Sequence, residues 1–301
     1  MTYKSGFIAI IGRPNAGKST LLNALLNEKI AITTPKPQTT RNNISGILTR
    51  EDAQFVFTDT PGIHKPKHEL GKTLNKNAYT AIAEADVNFW VVDATQSFGT
   101  GDEFLLDKIK QSSIPCFLIL NKIDLLDKEK LLVTLQKWQT RYDFAEIFPI
   151  SALTKDNLDQ LLEVTKGYLE EGPKYFPDDM ISDHGEQFQI AEIIREKVLN
   201  KTNEEVPHSV AVVIEKKEEN ETTMFLQAMI IVERTSQKSI LIGKQAAMIR
   251  SIRLAAQKEL KAKFHKKVEL ELYVRVEKNW RNRSNKLQQF GYLEMEDKDA
   301  E

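Results

Sequence analysis

The run Gly12-Arg13-Pro14-Asn15-Ala16-Gly17-Lys18-Ser19 fits the phosphate-loop pattern GxxxxGK[ST], and it lies between an apolar stretch at 7–11 and a helical pattern at 20–26. A glycine-rich turn from strand to helix aims consecutive backbone N–H groups at one point, where they can surround a phosphate chain. Lys18 adds a point charge for the second and third phosphates. The Ser19 hydroxyl is placed for magnesium, and Thr20 completes the phosphate-binding set at the helix start.

The surrounding pattern agrees with such a loop. Apolar runs at 44–48, 54–57, 87–92, 117–120 and 146–150 read as further strands, the second of them ending at Asp59. Helical patterns occupy 69–83, 103–110, 128–141 and 158–170. Strands alternating with helices predict an α/β domain with a mixed, mostly parallel sheet covered on both faces. Ligands then collect at the carboxyl ends of the strands.

Three more stretches fall at strand ends. In Asp59-Thr60-Pro61-Gly62, Asp59 is placed to hold a magnesium-bound water and the Gly62 N–H to meet a third phosphate. In Asn121-Lys122-Ile123-Asp124, the Asp124 carboxylate matches the N1–H and exocyclic amine of guanine; adenine would leave it unpaired. Asn121 is suited to tether the neighbouring loop, and the Lys122 stem to cover one face of the base. Ser151-Ala152-Leu153 offers a backbone N–H to the guanine oxygen. Together the four elements imply a guanine nucleotide, GTP or GDP, with Mg2+.

Between the first helix and the second strand lies Pro37-Gln38-Thr39-Thr40-Arg41. A threonine here would bind magnesium only while the third phosphate is present, which makes the loop a switch. Thr40 is the choice, with Thr39 next. Residue 63, after Gly62, is isoleucine and has no polar atom to orient an attacking water. A slow intrinsic rate and an outside helper are expected, and Ile63→Ala should cost little chemistry. His64 and His68 could share a helix face, but they lack a third zinc ligand nearby, so a solvated surface is the expected setting.

Residues 1–172 form the expected first domain, 173–185 a linker marked by Pro173 and Pro177, and 186–301 a second domain. The second domain reads as helix 187–199, strands 209–216 and 223–233, helix 246–264 and strand 268–276. Net charge over the whole chain is only -1, yet residues 234–286 carry fifteen Lys/Arg against four Asp/Glu. So lopsided a stretch predicts salt-sensitive contact with nucleic acid. Cys116, the one cysteine, excludes an internal disulfide and sits in an apolar run. The first residues lack a secretory signal, and no window approaches the roughly 20 apolar residues of a membrane span. A cytoplasmic setting is expected.

The chain resembles the bacterial Era GTPase family, a GTPase domain followed by a type II KH domain. The resemblance rests on the nucleotide motifs, on Pro35-Lys36-Pro37-Gln38-Thr39-Thr40-Arg41, and on two more specific stretches. These are Ala191-Glu192-Ile193-Ile194-Arg195-Glu196-Lys197 and Val206-Pro207-His208-Ser209. It implies GTP hydrolysis, GTP-controlled binding near the 3′ end of 16S ribosomal RNA, and a role in assembling the 30S subunit. It also implies a K+ ion near Asn15, and a peripheral position at the inner membrane for some members. Lys18, Asn15, Thr40 and Gly62 are then the catalytic set. No stable oligomer is expected.

KH domains clamp single strands with a GXXG turn, where glycine lets the RNA backbone approach. Here the turn is Gly243-Lys244-Gln245-Ala246, with alanine for the second glycine. Alanine tolerates helical dihedrals, so the turn is expected to survive. Arg253 and Gln257 stand where the family usually has glycine and arginine. Lys244, Arg250, Arg253 and Lys258 are the candidate phosphate contacts. Trp280 is read either as a base-stacking platform or as a packing anchor, and the acidic tail 294–301 as solvent-facing chain. Two rival functions remain: an RNA-binding structural protein whose GTP site only stabilises it, and a membrane-surface switch.

Overall fold

The computed structural model describes residues 2–36, 39–63, 65–203 and 206–293. Contacts divide the chain into two units. The first comprises residues up to 183 apart from Thr34–Lys36 and Pro66–Thr73; the second comprises those two stretches with His184–Glu301.

In the first unit the strands are β1 (Lys4–Ile11), β2 (Ile44–Thr49), β3 (Ala53–Asp59), β4 (Val87–Asp93), β5 (Cys116–Asn121) and β6 (Glu146–Pro149). Their order in the sheet is β2-β3-β1-β4-β5-β6. Only β2 runs antiparallel, against β3, so the sheet is mixed and mostly parallel. Helices α1 (Lys18–Leu26), α2 (Glu69–Glu84), α3 (Thr100–Ile109), α4 (Lys128–Gln139) and α5 (Leu158–Tyr168) accompany it.

Val87 through Val92 of β4 are all buried, as a central parallel strand covered on both faces requires. Trp90, fully buried, meets Trp138 of α4 edge to face at 5.5 Å. Each such large apolar side chain contributes about 1.5–3 kcal/mol on leaving water. This packing fixes the strand ends, from which the loops of the site project.

The segment read as a linker is bound to the sheet edge. Gln54 of β3 is fully buried. Its Oε1 accepts the Tyr175 and Phe176 N–H groups at 2.7 and 3.0 Å, and its Nε2 donates to the Phe176 carbonyl at 2.9 Å. Leaving a buried amide unpaired is costly, so Gln54 holds the segment in place. Ile47 N–H adds a bond to Ile181 O at 2.8 Å.

The second unit contains α6 (Glu186–Lys201), α7 (Val206–Ser209), β7 (Ala211–Glu219), β8 (Thr223–Val232), α8 (Thr235–Ile242), α9 (Ala247–Phe264), β9 (Lys267–Val276) and α10 (Ser284–Gln289). Strand β8 is central, antiparallel to β7 and parallel to β9. Sequence periodicity missed α8, whose apolar residues are few and include the exposed Ile240. What starts it is Gln237, buried, whose Oε1 accepts the N–H groups of Glu233 and Arg234 at 2.9 and 3.0 Å.

Trp280 is a packing anchor. It is fully buried, donates Nε1–H to Ser209 O at 2.9 Å, and packs against Phe290 and Tyr292 at 5.4 and 5.7 Å. The expectation for tail 294–301 lies outside the described residues.

Candidate nucleotide site and basic surface

The loop between β1 and α1 has backbone geometry that only glycine satisfies at two points. Gly12 has φ +148°, and a methyl there would lie 2.2 Å from the Val91 carbonyl oxygen. Gly17 has φ +99°, and a methyl there would lie 2.2 Å from Asn121 Nδ2. Gly17 also begins α1 without a side-chain cap, and no acidic residue occupies the first turn. The first N–H groups of the helix and its positive end therefore suit an anion.

Other loops fix this turn. Asn121 Nδ2 donates to Ala16 O at 2.9 Å while its Oδ1 accepts the Ala152 N–H at 2.9 Å, tying three motifs together. Lys122, in the left-handed region at φ 70°, donates to Asn15 O at 2.9 Å and to Asp93 Oδ2 at 2.6 Å. Burial opposes ionisation of Asp93, but hydrogen bonds from Lys122 and Thr95 outweigh it and hold its pKa below the usual range. Sequence reading passed over Asp93; its place at the carboxyl end of β4 was the available signal.

Lys18 is buried, its Nζ donating to Gly12 O and Arg13 O at 3.2 and 3.1 Å. Burial pushes its pKa down, opposed by Asp59. Asp59 is fully buried. Its Oδ2 accepts from Ser19 Oγ at 2.6 Å and Thr40 Oγ1 at 3.1 Å, and those two hydroxyls are 2.9 Å apart. Burial raises the Asp59 pKa, countered by Lys18, Ser19 and Thr40. Its other oxygen, Oδ1, has no hydrogen bond among the described residues. Two hydroxyls and a carboxylate with an unsatisfied buried oxygen are a donor set fitted to a hard divalent cation such as Mg2+. No group of three His, Cys, Asp or Glu side chains suited to a metal occurs among the described residues, and His64 lies outside them.

At the far end, Asp124 is exposed and accepts from Ser151 Oγ at 2.6 Å. Ser151 and Ala152 are buried, whereas Leu153 is exposed. Gly62 abuts the phosphate loop, where a methyl would come 2.8 Å from Pro14 Cγ. Ile63 is buried in the cluster that includes Ile11, Trp90 and Val92. Thr39 and Thr40 are described, and Thr40 is the one joined to Asp59 and Ser19. Pro37 and Gln38 lie outside the described residues. Arg13, a nucleotide-loop residue, sends its side chain to Asp102 at the start of α3.

Residues 7–122 match a family model described as a 50S ribosome-binding GTPase, and residues 205–281 one described as a KH domain. The chain is 38% identical to Era crystallised with MgGDPNP and nucleotides 1506–1542 of 16S ribosomal RNA. That match covers 96% of this chain and 99% of the other, with a TM-score of 0.93. The chain belongs to the Era family of GTPases. A Tyr-to-Ala variant of Era from Aquifex aeolicus bound to GDP·AlF4- is likewise 38% identical, with a TM-score of 0.92 and the same coverage.

Residues 191–197 and 206–209 serve packing. Arg195, almost wholly buried, pairs with Glu192 at 2.6 Å, and Lys197 bridges Glu196 and Glu259. Ser209 carries the carbonyl that receives Trp280.

In the Era-type KH unit, Gly243 has φ 70°, and a methyl there would meet Met248 N at 2.9 Å. Gln245 and Ala246 follow at φ 50° and 59°. The turn therefore persists, but not because Ala246 has helical dihedrals: it is left-handed, a conformation costing an L residue about 1–2 kcal/mol. Helix α9 consequently starts at Ala247.

Lys244, Arg250, Arg253, Lys258 and Lys261 are exposed and have no ion-pair partner among the described residues. Four other cations of the basic stretch are engaged: Lys266 with Glu219, Arg281 with Glu233, Arg283 and Lys286 with Glu277. The turn and one stripe of α9 thus keep part of the local excess, and Lys238, Arg275 and Lys278 also have no ion-pair partner among the described residues. Gln257, beside that stripe, donates to Val268 O at 3.1 Å.

Proposed function

We propose that this Era-family protein is a GTP-hydrolysing switch that binds 16S ribosomal RNA near its 3′ end and assists assembly of the 30S subunit. One observation carries the reading. The relative crystallised with MgGDPNP and nucleotides 1506–1542 of 16S ribosomal RNA matches over 96% of this chain, which takes in both units.

Asp124 selects guanine with its carboxylate, and Asn121 keeps the base-binding and phosphate loops in register. Lys18 exchanges its two carbonyl contacts for the phosphates. Ser19, Thr40 and Asp59 hold Mg2+, which supplies positive charge to the phosphate oxygens. Thr40 belongs to the switch loop, so its engagement reports whether a third phosphate is present. The Gly62 N–H faces that phosphate, and the loop backbone stabilises the charge that develops there.

Ile63, apolar and packed into the core, does not position the attacking water. Hydrolysis by the chain alone is slow on this reading, and Ile63→Ala changes kcat by less than about threefold. A thousandfold loss of kcat with unchanged nucleotide affinity would overturn that assignment. Asn15, exposed at the tip of the loop, is the proposed contact for K+. Turnover in K+ against Na+ tests it.

Lys244, Arg250, Arg253 and Lys258 receive RNA phosphates in the KH unit. The deciding experiment titrates the full chain, in its GTP-analogue and GDP forms, with a single-stranded 16S 3′-end fragment at several salt concentrations. Salt-sensitive binding that depends on the nucleotide supports the reading; equal affinity for GTP and ATP, or no RNA binding, defeats it. No helix among the described residues is long and apolar enough to cross a membrane. Peripheral membrane contact through the α9 stripe, where Leu254 is exposed among the cations, is a second reading. Liposome flotation with and without RNA separates the two.

A further inference from the structure

We propose that the Arg13–Asp102 ion pair is a positioning device for hydrolysis, fixing the phosphate loop to the start of α3 and thereby holding Pro14 against Gly62. The proposal rests on GTP being hydrolysed at this loop.

Arg13 occupies the second position of the loop, yet its Nη1 donates to Asp102 Oδ2 at 3.0 Å and to Ser97 O at 3.4 Å. Asp102 is itself immobilised: it is buried in the first turn of α3 and accepts the Gly99 N–H at 3.0 Å. The arginine stem lies flat along that turn. A methyl at Gly101 would come 3.3 Å from Arg13 Cγ, and one at Gly99 would come 3.5 Å from Nη1. Glycine at 101 gives the side chain room, whereas a methyl at 99 would make only ordinary contact with it.

The next residue carries the consequence. The ring of Pro14 locks its φ, so a shift at residue 13 is not absorbed there. Pro14 N and Cγ would stand 2.9 and 2.8 Å from a methyl at Gly62, which leaves no slack between the two backbones. Moving Arg13 therefore moves the wall at which the third phosphate is met.

The remainder of the loop has separate anchors. Asn15 O is held by Lys122 and Ala16 O by Asn121. These contacts survive loss of the pair, so the part of the loop serving the first two phosphates keeps its shape. The expected signature is a loss of turnover with GDP affinity retained.

The test compares Asp102→Asn, Arg13→Gln and the double variant in the full chain, measuring kcat for GTP and the dissociation constant for GDP. Asp102→Asn keeps an acceptor for Gly99 N–H, and Arg13→Gln leaves the α3 cap untouched, so a folding defect shared by both is not expected. Each single variant should lose about tenfold in kcat while GDP affinity stays within about threefold, as a small misplacement near reacting atoms would produce. The double variant should be no slower than the worse single, since one interaction is being removed twice. Unchanged kcat, GDP affinity falling in step with kcat, or independent multiplicative losses would each overturn the proposal. Absence of turnover in the unsubstituted protein would instead remove the hydrolysis reading and this proposal with it.

Discussion

The two glycine turns of this molecule, Gly12–Ser19 in the first unit and Gly243–Ala246 in the second, use the same backbone device in opposite ways. Both place glycine where a side chain would strike a neighbour: 2.2 Å from an oxygen or nitrogen at Gly12 and Gly17, and 2.9 Å from a backbone nitrogen at Gly243. The nucleotide loop is then clamped by Lys18, Asn121, Lys122 and the Arg13–Asp102 pair. The KH turn has lighter support, Gly243 N–H to Ser239 O at 2.9 Å and Ala246 N–H to Gly243 O at 3.2 Å, and keeps an alanine in a glycine conformation. The comparison teaches that a site for a small, highly charged ligand is pre-organised by many neighbours. A surface for a long polyanion gains more from exposed cations and tolerates local strain.

The largest expected effect separates the two turns. Gly17→Ala should weaken GDP and GTP binding by at least about a thousandfold, or ~4 kcal/mol, because its methyl displaces Asn121. RNA binding measured in the absence of nucleotide should be unaltered. Calorimetric GDP affinity within about tenfold of the parent would break the claim that the first loop is over-determined.

Ala246→Gly should act in the other direction. Relief of the left-handed alanine, about 1–2 kcal/mol, is offset in stability by the greater freedom of glycine in the unfolded chain, about 0.4–1 kcal/mol. A small net stabilisation remains. RNA affinity at fixed salt should rise about threefold to tenfold as the backbone opens to phosphate. A fall in affinity would mean that the alanine methyl itself makes a favourable contact.

The smallest effect concerns two carboxylates whose protonation moves in opposite directions. Asp59 is raised by burial, so it takes up a proton above the ordinary aspartate range. The associated stability is present in full below its unfolded pKa and is lost as pH rises through its folded value. Mg2+ reverses this preference, and Mg2+-GDP affinity should decline under mild acid. Glu219 is held down to about 2 by Lys217 and Lys266. Its stability is present above the ordinary glutamate value of 4.5 and is lost as pH falls toward about 2. Denaturant midpoints for Glu219→Gln and the parent should therefore differ at neutral pH and converge across that window. A constant difference down to pH 2 would refute the assignment.

Much of the first unit was legible in the sequence because its motifs are local. A strand, a glycine turn, a lysine and a helix start lie within sixteen residues of chain, Lys4 to Ser19. Strand ends place Asp59, Asn121 and Ser151 on the same edge by topology alone. The second unit was less legible. Helix α8 went unread because Gln237, a polar side chain bonded back to the chain before it, starts the helix instead of an apolar stripe. The basic stretch was visible, but not which of its cations are consumed by Glu219, Glu233 and Glu277.

Residue order alone determined the ligand class, since the carboxylate for the base and the loop for the phosphates are each encoded in a few consecutive residues. Only the folded chain decided that Arg13 turns away to Asp102, that Gln54 holds the segment at residues 175–176, and that Ala246 is left-handed. Each of these depends on what a side chain meets across tens of residues or on a dihedral its neighbours impose. Such encounters are set by packing and leave no spacing pattern in the sequence.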